Sequence, residues 1–241
     1  YKFRHPSLSP PPTPVSVPGP MPYLYFSPPT MSNLPFKLEL SNLPTYSRVE
    51  TQIKLKFSLS PPPSSFLLHI PQDLISKSKF CLKDSIHSMP EEFKKHVLFL
   101  DTYVLTSDLK KSCTICSRCI KREQKRASRR KSAIFGEQQE TMKEEQIEEV
   151  SPKTNNNSWS DENMSKKAII FNCKEIVSFP PPNGLNNDLK KSLELLIRIV
   201  CYCRHHKELK GFKLLFVVKD YTGKIVAKNI SSPIMIMDRK K

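Results

Sequence analysis

Eleven consecutive residues of this chain alternate without a break: Val49, Thr51, Ile53, Leu55, Phe57 and Leu59 are separated by Glu50, Gln52, Lys54, Lys56 and Ser58. That is the period of a β-strand with one face packed and the other in water. A helix would scatter those apolar side chains around its whole circumference. Pro61, Pro62 and Pro63 then end the run, because proline cannot donate to a sheet ladder.

The rest of the chain repeats this signature in shorter pieces. Ser65 to Ile70 predicts a second strand, stopped by Pro71, and Pro90 to Lys95 predicts a short helix or turn. Val97 to Leu105 predicts a third strand, apolar enough for the middle of a sheet, with Asp101 as its charged exception. Strands resume at Lys167 to Asn172 and, past a loop from Pro180 to Asn187, at Leu193 to Tyr202. Phe212 to Lys219 and Lys224 to Lys228 flank Asp220-Tyr221-Thr222-Gly223, a turn sequence that predicts a hairpin, and Ile234 to Met237 closes the series. Many short strands with little helix point to an all-β sandwich.

Two stretches fall outside that core. Residues 1–35 hold eleven of the 22 prolines and read as a disordered, Pro-rich leader before a domain over residues 36–241. Within the domain, residues 136–165 read as a disordered acidic insertion, since Gly136 to Glu162 carries eight acidic residues against Lys143 and Lys153. The net charge of +16 favours a polyanionic partner, and no apolar run is long enough to span a bilayer. The chain opens on Tyr1 and closes on a charged run, as a piece of a longer protein would.

Seven cysteines, most of them in two short clusters with no secretory signal, argue for a reducing compartment and against a disulfide framework. The first cluster is Cys113, Cys116 and Cys119 at CxxCxxC spacing. An iron–sulfur run would need a fourth Cys where Glu123 stands. Zinc asks less: Cys116 and Cys119 form a knuckle, and Cys201-Tyr202-Cys203-Arg204-His205-His206 is the dense supply of further ligands. The expected set is Cys116, Cys119, Cys203 and His206 around one structural Zn2+, with Cys113 and Cys201 as alternates. The competing reading makes Cys201 and Cys203 plain core residues alternating inward from a strand.

The first cluster runs straight into basic residues, nine of them between Lys111 and Lys131 against the single acid Glu123. Held as a loop at both ends by a sandwich, such a stretch presents its guanidinium groups in fixed directions to guanine edges, and its lysines to phosphates. The candidate contacts are Arg118, Lys121, Arg122, Lys125, Arg126, Arg129, Arg130, Lys131, Arg204, His205 and Lys207. The alternative is an interaction domain for coactivators or processing machinery, in which the basic run acts only in nuclear import. No glycine-rich phosphate loop, nucleophile elbow or HExxH motif supports an enzyme.

At these residues the sequence resembles a known group. SRVETQIKLKF, LLHIPQDLISKSKF, LFLDTYVLTSD, CSRCIKREQKRASRRKS and IVCYCRHHKELKGFKLLFVVKDYTGKIVAKNISSPIMIMDRKK look like the amino-terminal region of fungal membrane-tethered transcription activators of the fatty-acid desaturase gene. The resemblance implies a precursor anchored in the endoplasmic reticulum or nuclear envelope. Ubiquitin- and proteasome-dependent processing would release a form that binds double-stranded DNA in the nucleus, with coactivators as partners and a homodimer among its assemblies. More loosely, the closing hairpin is similar to the last strands of Rel-like and tumour-suppressor-type sandwiches, which implies an immunoglobulin-like architecture.

Overall fold

The structure is a computed structural model, and it describes residues 34–126, 167–181 and 189–238. Two sheets face each other. The first has the order β1 (Lys37–Ser41), β3 (Ile53–Ser60), β8 (Lys191–Ile199), β6 (Ile169–Phe171), antiparallel throughout. The second runs β10 (Ile225–Ile230), β9 (Lys213–Lys219), β5 (Val97–Leu105), β4 (Leu67–His69), β7 (Ile176–Ser178). A parallel pair, β2 (Tyr46–Ser47) with β11 (Met235–Ile236), lies apart from both. The molecule is an all-β sandwich, as the alternating runs predict. Among the described residues no helix is long and apolar enough to cross a membrane.

The core follows directly from the period-two pattern. Leu55, Phe57 and Leu59 of β3 and Leu195 and Ile197 of β8 point inward to meet Leu98, Leu100 and Val104 of β5 and Leu214, Phe216 and Val218 of β9. Burying each such side chain contributes about 1.5–3 kcal/mol. On the outer face of β3 Lys54 and Lys56 are exposed, while Ser58 is buried and its hydroxyl pairs with that of Ser192 at 2.8 Å. β5 occupies the centre of its sheet, and the charged exception Asp101 accepts from Lys219 Nζ at 2.7 Å. The predicted hairpin forms between β9 and β10, with Asp220 Oδ1 accepting from the backbone of Thr222 and Lys224, and with Gly223 at a φ of 86°.

Several expectations change. The clean alternation begins at Val49, yet the strand begins at Ile53, because residues 48–51 form a turn closed by Thr51 N donating to Arg48 O. β1, β2 and β7 arise where no strand is predicted. They have two to five residues each, too few for a period to register. The strand predicted to run to Tyr202 stops at Ile199, and residues 203–206 form a 3-10 turn instead. The short helix α1 (Glu91–Lys94) sits where Pro90 to Lys95 predicts it.

The largest departure lies in the basic cysteine stretch. It is not a loop over its described length: residues 117–126 are helical, a segment termed α2. Cys116 O accepts from Cys119 N at 2.9 Å and Ile120 N at 3.0 Å, which closes the first turn. Lys, Arg, Glu and Gln are good helix formers, and Cys116, Cys119, Ile120 and Glu123 recur at helical spacing on the side that becomes buried. The Pro-rich residues 1–33, the acidic residues 136–165 and Arg129, Arg130 and Lys131 lie outside the described residues.

Candidate nucleic-acid interface and metal centre

One pole of the sandwich gathers both cysteine clusters. β5 leads, through bridges pairing Ser112 with Leu105 and Thr114 with Lys167, into α2, while β8 leads into the turn at 203–206. There Cys116, Cys119, Cys201 and His205 bring their ligand atoms within 4.8 Å of one another. His205 Nδ1 lies 3.2 Å from Cys116 Sγ and 3.3 Å from Cys119 Sγ, and Cys201 Sγ lies 3.5 Å from Cys116 Sγ. A tetrahedral zinc with bonds of about 2.3 Å to sulfur and about 2.0 Å to nitrogen separates its ligand atoms by roughly 3.5–3.8 Å. The donor set and its spacing therefore fit a metal ion. A hydrogen bond from the Cys201 thiol, aided by the Arg122 charge, holds Cys119 down at about 5, while the same bond and burial push Cys201 up. A group of thiols already inclined to share a negative charge is suited to a cation.

The converging set differs from the expected one at two positions. Cys203 is buried and faces the other way: its Sγ accepts from Ile236 N at 3.2 Å and lies 3.8 Å from Ile234 O, packing the turn onto β11. His206 Nε2 reaches Cys201 Sγ at 3.0 Å, but its ring packs edge-on against Phe212. Past Ile199 the chain no longer alternates as a strand does. The turn wraps so that residues 201 and 205 look to one side and residue 203 to the opposite side. Cys113 is a core residue, with burial pushing its thiol up to about 12.

α2 is anchored on its inner face and basic on its outer one. Glu123 is 2% exposed and pairs bidentately with Arg198 of β8, at 2.5 Å and 2.9 Å, and Arg198 also donates to Val49 O at 2.8 Å. Arg122 turns inward as well. Its Nη2 donates to Val200 O at 2.6 Å and its guanidinium lies 4.8 Å over the Tyr202 ring. Arg118, Lys121 and Lys125 are exposed, at i, i+3 and i+7 on one face of the helix. Arg126 is half-buried.

The second arm of the pole is the turn after Cys201. Arg204 is exposed, pairs with Asp238 at 2.5 Å and lies 5.4 Å from the centre of the same Tyr202 ring. His205 belongs to the cysteine cluster, and Lys207 is exposed in a left-handed conformation with a φ of 55°. Sequence reasoning missed Tyr202, whose ring two guanidinium groups approach, and the Glu123–Arg198 pair beneath α2. The helical recurrence of 116, 119, 120 and 123 was the available signal for the latter; Tyr202 had none.

Protein MGA2 of Saccharomyces cerevisiae (strain ATCC 204508 / S288c) is 37% identical over 211 residues, 87% of this chain and 17% of that protein. Protein SPT23 of the same yeast is 39% identical over 220 residues, 86% of this chain and 18% of that protein. The chain spans less than a fifth of the length of these relatives. Among solved structures, the DNA-binding domain of Cep-1, the C. elegans orthologue of p53, aligns with 84% of this chain and 90% of its own at a TM-score of 0.38 and 6% identity. So distant a likeness leaves the sandwich resting on its own sheets. The SPT23/MGA2 DNA-binding domain family matches residues 35–241, most of the chain, and the chain belongs to that family.

Proposed function

We propose that this domain binds duplex DNA with the exposed row of α2 and the turn from Arg204 to Lys210, on behalf of a transcription activator of the fatty-acid desaturase gene. The observation that carries the reading is the placement of Arg118, Lys121 and Lys125 along one outer face of a helix whose inner face is pinned to the sandwich. A helix of this diameter fits the major groove, where arginine forks meet guanine O6 and N7 while lysines meet phosphates. In this reading the domain acts in the nucleus, after ubiquitin- and proteasome-dependent release of a longer membrane-anchored precursor. Coactivators, the anchor and any homodimer contact are assigned to that longer protein.

One structural zinc at Cys116, Cys119, Cys201 and His205 completes the proposal. It would cross-link the start of α2 to the turn after β8. With four protein ligands it keeps no open position, so its work is structural.

Replacing Arg118, Lys121 and Lys125 together by alanine tests the interface. All three are exposed, so the melting temperature should stay put while affinity for duplex DNA falls and the slope of log K against log salt drops by about two, one for each phosphate-facing lysine. Unchanged affinity and slope in the triple variant would remove α2 from the interface.

A further inference from the structure

Leu209 is the most exposed large apolar side chain among the described residues, at 87%. It stands in the same pole, on a turn bonded on one side and closely packed on the other. Glu208, immediately before it, is buried, and its carboxylate accepts from Ser107 N at 2.8 Å, Ser107 Oγ at 2.9 Å and Lys210 N at 2.8 Å. Glu208 N donates back to Cys203 O at 3.0 Å. On the far side Gly211 has a φ of 100°, and a Cβ there would meet Ile234 C at 2.8 Å, so the turn lies close against the Ile234 backbone and leaves no room for a side chain. The bonds to Ser107 also lay the turn against the 106–111 loop. Exposed Lys207 and Lys210 share the leucine's own turn, and the adjoining loop carries exposed Lys110 and Lys111 together with one exposed carboxylate, Asp108.

A leucine presented to water on a flexible tip is commonplace. A leucine presented on a hydrogen-bonded turn with a net excess of cations on it and the adjoining loop is different, because less of the backbone has to be ordered before it meets a polyanion. Proteins that bend DNA use this arrangement, with an apolar wedge entering between base steps while basic residues hold the flanking phosphates. We infer that Leu209 is such a wedge: it enters the groove beside the site of α2, partly unstacks one base step, and bends the duplex. The inference rests on the DNA-binding reading and names a second contact within it.

The test uses the whole chain and a short duplex selected by the wild-type protein from a random-sequence pool. Bending is read by energy transfer between dyes on the two duplex ends, and unstacking by the fluorescence of 2-aminopurine placed in turn at successive steps. The wild-type protein should raise both signals, with the fluorescence rise confined to one step. Leu209→Ala should fold with an unchanged melting temperature, keep the wild-type salt slope, lose both signals, and bind about tenfold or more weakly, as loss of one buried leucine would produce. Leu209→Met should restore the bend. If Leu209→Ala bends and binds as the wild type does, the wedge is refuted while the DNA reading stands. If the wild-type protein selects no duplex at all, both fall. Binding to vesicles of anionic phospholipid that depends on Leu209, with no duplex distortion, would also overturn the wedge and assign the side chain to a membrane surface.

Discussion

His69 is an imidazole that the fold keeps neutral. It is buried on β4, its Nε2 lies 3.0 Å from Glu175 Oε1, and Glu175 also accepts from Gln72 Nε2 at 2.9 Å and Leu82 N at 2.6 Å. Burial lowers the His69 pKa below its ordinary 6.5, against the pull of the Glu175 carboxylate, which favours the charged ring. Because the depressed value belongs to the folded state, the stability it contributes is complete above 6.5 and is lost as pH falls from there toward the folded pKa. Thermal melts should therefore decline from neutral pH to about 5.5 in the wild type, and decline less in His69→Gln, which has no proton to gain in that window. Neither His69 nor Glu175 stood out as a partner in the sequence, since 106 residues separate them. Cys116 and Cys119 did stand out, because ligands three residues apart are bound to be neighbours. Which members of Cys201, Cys203, His205 and His206 join them depends on how the chain turns after β8, and side-chain direction in an irregular turn has no period to read.

Among the elements, α2 carries the most consequence. Its outer row has value only if the helix keeps its rotation, and two fastenings one turn apart set it: Cys116 and Cys119 at the start, then Glu123 on Arg198. A buried ion pair adds little net stability over apolar side chains of similar volume, but removing one partner strands the other. Glu123→Ala should cost about 3–5 kcal/mol in urea denaturation. Glu123→Leu combined with Arg198→Met should come close to wild-type stability, yet bind duplex DNA less selectively than wild type in competition with random sequence. A stable Glu123→Ala would mean that water or backbone reaches Arg198 in its place. Amphipathic spacing made this helix readable in principle, but the basic run and the paired cysteines drew the expectation toward a loop. The long strands needed no such help, for β3 and β5 announce themselves over eight and nine residues.

At the scale of the whole molecule, the cysteine cluster links the two sheets. Cys116 and Cys119 follow β5 of the five-stranded sheet, and Cys201 and His205 follow β8 of the four-stranded one. A metal there would close the open pole of the sandwich and present both basic arms together. Elemental analysis should find one zinc per chain in the wild-type protein and substantially less in Cys116→Ser. Prolonged dialysis against a chelator should lower the melting temperature and weaken DNA binding together, and added zinc should restore both. Full DNA affinity in metal-free protein would separate the cluster from the interface.

The long strands, the sandwich class and the adjacency of basic residues to cysteines were legible in the amino-acid sequence, because each of those is written in neighbouring residues through a period, a turn or a fixed spacing. The tertiary structure alone decided that Arg122 supports while Arg118 faces outward, that Cys203 packs on β11 while Cys201 and His205 converge on Cys116 and Cys119, and that Glu123 meets Arg198. Those outcomes depend on which surfaces meet when two sheets close, and residues some 75 to 90 positions apart carry no mark of the meeting until the core has formed.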